Sequence, residues 1–146
     1  MFKNILIPTD GSEQSQRAVR TGVELARLHG ARITGIHVIP DYHLLIAYEG
    51  AFDPVTEERI EEEAKARADS YLSFIRTTAA EAGVPCATVC ETSDHPYDAI
   101  LKTADSNHCD LILMTSHGRK GLAAVLLGSE TRKVLTHAQV PVLVVR

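Results

Sequence analysis

DLILMTSHGRKGLAAVLLGSE, residues 110–130, sets the fold and points to the site. Its opening, Asp110 to Met114, is apolar at nearly every position rather than at every second one. A strand of that kind is buried on both faces, as in parallel sheets covered by helices. It runs directly into a loop punctuated by Gly118, Gly121 and Gly128. Glycine adopts positive φ without cost and lets backbone N–H groups close on an anion. Gly128-Ser129 falls where a helix begins, read here from Ser129 to His137. The unpaired N–H groups of its first turn, with the Ser129 hydroxyl, attract phosphate. The loop is neither a Walker A sequence, which needs GK[ST], nor the Rossmann GxGxxG.

On either side of this stretch the chain alternates strands and helices. Lys3 to Pro8 is a short β-branched run closed by Thr9, Asp10 and Gly11. Ser12 is an N-cap for the next helix, with Glu13 favourable in its first turn. Ala18, Val19, Gly22, Val23, Ala26 and His29 form a helical stripe, and Gly30 stops it. Arg32 to Ile39 reads as a second strand, with Ile33, Gly35, His37 and Ile39 on one face and Thr34, Ile36 and Val38 on the other. The segment from Asp41 to Val55 has no period but carries several aromatic and aliphatic residues, as lids and contact surfaces do. Thr56 is placed to cap a long helix running to about Ala82, with its stripe at Ile60, Ala64, Ala68, Tyr71, Ile75, Ala79 and Ala82. Gly83 ends it. Val84 to Cys90 is a third strand, His95-Pro96 starts a helix with Tyr97, Ile100, Leu101 and Ala104 inward, and Pro141 to Val145 is a fifth strand.

This alternation predicts a single α/β domain over residues 1–146. Its core is a doubly wound, mostly parallel five-stranded sheet with helices on both faces. Such sheets bind ligands beyond the carboxyl ends of their strands, where the strand order reverses. The loops after the first and fourth strands are therefore the expected site.

The chain of 146 residues is 45 % hydrophobic and 23 % charged, with a net charge of −4. Its scattered basic residues argue against nucleic-acid binding, which needs clustered Lys and Arg. No apolar run reaches the ~18 residues of a membrane span. The apolar stretch Ile5–Ile7 is far short of a signal-peptide core, so a cytoplasmic location is expected. Cys86, Cys90 and Cys109 offer no disulfide framework. Cys86 and Cys90 stand about 13 Å apart along one strand at ~3.3 Å per residue, too far to bridge or share a metal. All three are read as small buried hydrophobes. No His/Cys cluster has metal-ligand spacing, and His117 has no nucleophile or carboxylate paired with it in the sequence, so no enzymatic activity is expected.

From ILIPTDGS, residues 5–12, to the terminal VPVLVVR, residues 140–146, the chain resembles the universal stress protein family. The family's ATP-binding branch carries G-x-x-G, nine residues, then G-[S/T]. Gly118, the nine residues 119–127 and Gly128-Ser129 match, whereas Thr115 stands at the first glycine position. The resemblance implies a Rossmann-like sheet of the adenine nucleotide alpha hydrolase kind, with strand order 3-2-1-4-5. It implies ATP, with Mg²⁺, as the ligand. Pro8, Thr9 and Asp10 match the turn that meets ribose or a hydrated divalent cation. Val38 matches the residue whose backbone reads the adenine edge, and Met114 the residue flanking the base. Thr115, Ser116, His117, Gly118, Arg119 and Gly121 match the phosphate loop, followed by Gly128, Ser129 and Glu130. The resemblance also implies a homodimer formed through the 140–145 strand and a regulatory role in stress response. A dimeric interaction module that binds no nucleotide is the alternative, and Thr115 favours it.

Overall fold

A computed structural model of the protein describes residues 1–41, 54–116 and 127–146. The elements follow in the order β1 (Asn4–Pro8), α1 (Glu13–His29), β2 (Arg32–Ile39), α2 (Pro54–Glu81), β3 (Cys86–Thr92), α3 (Pro96–Ser106), β4 (Leu111–Thr115), α4 (Ser129–His137) and β5 (Val142–Val145). The five strands form one sheet in the order β3-β2-β1-β4-β5, as expected, and every neighbouring pair is parallel. The strand order therefore reverses between β1 and β4.

Alternating side chains of the central strands go to opposite layers. Ile5 and Ile7 of β1, Ile33 of β2 and Leu113 of β4 pack under Val19, Val23 and Ala26 of α1 and Leu72, Ile75 and Ala79 of α2. Leu6, Ile36, Ile112 and Met114 point the other way, against Ile100 and Ala104 of α3 and Val134 of α4. This double covering is why β1 and β4 are apolar without alternation; Ile5, Leu6 and Ile7 are all fully buried. Gly35 lets α2 approach β2, since a Cβ there would stand 2.8 Å from Ile75 Cδ1.

Ser12 caps α1 as expected, its hydroxyl accepting the Ser15 N–H at 3.2 Å. Three expectations are corrected. The second helix starts at Pro54, not Thr56, with proline in the first turn where no N–H is required. β3 lies two residues further on than Val84–Cys90, because pairing with all of Ile33–Ile39 carries it to Thr92. As an edge strand it leaves Cys90 exposed and Cys86 half-buried, so only Cys109 is the small buried hydrophobe the sequence suggested. Among the described residues no helix is long and apolar enough to cross a membrane.

Candidate functional site at the strand switch

β1 and β4 pair at Ile5–Leu111 and Leu6–Ile112, and Pro8, Val38, Met114 and Thr115 lie at or next to the carboxyl ends of β1, β2 and β4. The Thr9 N–H continues the β1–β2 ladder to the Ile36 carbonyl at 2.9 Å. Its buried hydroxyl accepts the Gly11 N–H at 3.1 Å and lies 3.1 Å from the Ser15 hydroxyl. Asp10 Oδ1 accepts the Ser12 N–H at 2.9 Å, an Asx turn that fixes the carboxylate against the chain that follows. Gly11 makes the turn at φ +77°. His37 Nδ1 lies 2.8 Å from the Thr9 carbonyl.

At the end of β4, the Ser116 N–H donates to the Val145 carbonyl at 3.1 Å. The Ser116 carbonyl accepts the Gly128 N–H at 2.6 Å, and the Thr115 carbonyl accepts the Thr131 hydroxyl at 2.8 Å. The end of β4 and the start of α4 are thus pinned to one another. Gly128 is the N-cap of α4 in an extended conformation, with no side-chain cap bond on the first-turn amides. As a glycine it brings no side chain to the first-turn N–H groups, which an anion at this end would meet.

Val38 and Met114 belong to the same apolar cluster as Leu6, on the α3–α4 face. Pro8 is half-buried at the end of β1. Glu130 is committed within the protein. Its Oε2 accepts the Tyr97 N–H at 2.9 Å in the first turn of α3, and its Oε1 is 3.0 Å from Lys133 Nζ, which lies 5.4 Å from the Tyr97 ring centroid. His117, Gly118, Arg119 and Gly121 lie outside the described residues.

Among the described residues no group of three or more His, Cys, Asp or Glu is placed to hold a metal ion. A half-open groove of about 290 Å³ runs between β3 and α3, lined in part by Val89, Glu91, Lys102 and Thr103. It contains none of the residues at the strand switch. His37 and Thr131 are the contributors that the sequence left unsuspected. Each acts on a backbone carbonyl in another element, and nothing in the local sequence signals such a contact.

The universal stress protein family model matches residues 1–146. A universal stress protein of Thermus aquaticus is 34 % identical over 149 residues, with 100 % of each chain covered. Among solved structures, that of MJ0577 from Methanocaldococcus jannaschii superposes with a TM-score of 0.79 at 30 % identity, covering 99 % of this chain and 96 % of its own. A universal stress protein in complex with cAMP gives a TM-score of 0.70 at 23 % identity, covering 99 % of this chain and 97 % of its own. One from Archaeoglobus fulgidus in complex with dAMP gives 0.67 at 20 % identity, covering 99 % and 98 %.

Proposed function

This chain belongs to the universal stress protein family, and we propose that it is an adenine nucleotide-binding regulatory protein whose ligand is ATP with Mg²⁺. The observation that carries the reading is the strand switch itself. Three features there support it: a glycine N-cap on α4, Asp10 held in an Asx turn after β1, and Val38 and Met114 in one apolar cluster with Leu6. The cAMP and dAMP complexes of two structural neighbours support the adenine class. In this assignment Val38 and Met114 flank the base, Asp10 meets ribose or water on the cation, and Ser116, Gly128 and Ser129 hold phosphate. His117, Gly118, Arg119 and Gly121 complete the phosphate loop. Thr115 borders it, and Glu130 of α4 supports it by tying that helix to the start of α3. The backbone amides at α4 suit phosphate oxygens, and Asp10 would help the phosphates and water hold Mg²⁺.

The protein works in the cytoplasm without catalysing a reaction, as a homodimer joined through β5. Leu143, 41 % exposed on that edge strand, supports the dimer. Thr115 favours a second reading, a dimeric interaction module without nucleotide, because a side chain stands at the position the family gives to bare backbone. Native mass spectrometry of the purified protein with millimolar ATP and Mg²⁺ separates the two. One ATP mass per protomer is expected, and a bare protomer under those conditions overturns the nucleotide reading.

A further inference from the structure

His37 sits one residue before Val38 at the end of β2, on the opposite face of the sheet. Its Nδ1 lies 2.8 Å from the Thr9 carbonyl oxygen. A carbonyl only accepts, so the bond requires the proton on Nδ1. Thr9 is the middle residue of the Pro8-Thr9-Asp10 turn, and its N–H already donates to Ile36 at 2.9 Å. Both polar groups of the Thr9 backbone are therefore held by the end of β2, one through the ladder and one through the imidazole. The His37 ring in turn meets Tyr71 of α2 edge-on, with centroids 5.1 Å apart and planes at 76°. The same Tyr71 ring fills the space in front of Gly11, where a Cβ would stand 2.2 Å from Tyr71 Cε1.

We infer that His37, braced by Tyr71, is a positioning residue for nucleotide binding. It fixes the Thr9 carbonyl and hence the direction in which the next residue, Asp10, leaves β1. The role rests on the nucleotide reading above. It does not require His37 to touch the ligand, and it accounts for a histidine at a position where the sheet needs only an apolar strand residue.

The test compares His37→Asn with His37→Leu. The Asn amide hangs from Cγ where imidazole Nδ1 does, so it can donate to the Thr9 carbonyl; Leu fills the space and donates nothing. ATP affinity is expected to hold in the Asn variant and to fall about tenfold in the Leu variant, the upper end of what one hydrogen bond contributes. The amide NMR shifts of Asp10, Gly11 and Ser12 without nucleotide should move in the Leu variant and stay near wild type in the Asn variant. In the wild-type protein, the ¹⁵N shifts of the His37 ring should show a proton on Nδ1. A ring without that proton overturns the inference whatever the variants do, including a Leu variant that does not fold. Wild-type affinity in a folded Leu variant, or equal losses in both variants, also overturns it. Failure of the wild-type protein to bind ATP removes the nucleotide reading and this role with it, and the ring tautomer then still decides whether the clamp on Thr9 exists.

Discussion

Gly11 and Gly30 both adopt positive φ, +77° and +63°, yet their surroundings differ. Around Gly30 a Cβ would meet nothing within 4 Å, whereas at Gly11 it would enter the Tyr71 ring. Gly30→Ala is expected to cost about 1 kcal/mol, the strain of a left-handed Cβ alone. Gly11→Ala should cost roughly 2–3 kcal/mol, because the tyrosine must also move. Urea unfolding of the two variants checks the difference, and equal losses would show that Tyr71 does not wall the turn. The Pro-Thr-Asp-Gly-Ser stretch was legible as a strand end, a turn and a cap, since those signals are local. The ring that closes over it was not, because Tyr71 is sixty positions away on another element. The cysteines make the same point. Burial pushes the Cys109 thiol up, partly opposed by a hydrogen bond with Thr34, and burial also raises the exposed-edge Cys90, with Glu91 adding to it. Which of them lies inside depended on strand position in the sheet.

The helices and strands were legible wherever capping or apolar runs set their limits, as at Ser12, Gly30 and Ser129. They were less so where tertiary pairing did. A stripe through α2 at Ala68 and Ile75 is compatible with either Tyr71 or Leu72 between them, because helical spacing alternates three and four. The core takes Leu72, and Tyr71 turns towards the Gly11 turn instead. Glu130 shows how two elements share one charge. The carboxylate takes the N–H of Tyr97 at the start of α3, where His95 makes no side-chain cap, and so joins α3 to α4. Glu130→Ala should lower stability by about 1 kcal/mol, as lost helix caps do, and Glu130→Gln, which keeps an acceptor, by less. Thermal unfolding of both variants reads this. Equal stability of the Ala variant and wild type would mean that the contact carries no weight.

The parallel sheet and its two helical layers followed from the strand–helix alternation and the unbroken apolar runs, and the strand order from the family resemblance. The switch between β1 and β4 followed with them. The two edges differ in character: β3 ends in exposed Glu91 and Thr92, whereas β5 is the apolar Val142-Leu143-Val144-Val145. The proposed dimer uses the apolar edge. Leu143→Arg is expected to shift sedimentation at tens of micromolar from dimer to monomer while leaving the fold intact, because a charge on an edge strand opposes pairing. A wild-type protein that sediments as a monomer would rule that interface out. Isothermal titration of ATP with Mg²⁺ into the wild-type protein and Gly128→Val decides whether the strand switch binds ATP. Saturable heat with one site per protomer in the wild type, abolished in the variant by the added Cβ and its methyls at the N-cap, is the predicted result. No heat in the wild-type protein at millimolar ATP, or equal affinity in both proteins, would contradict it.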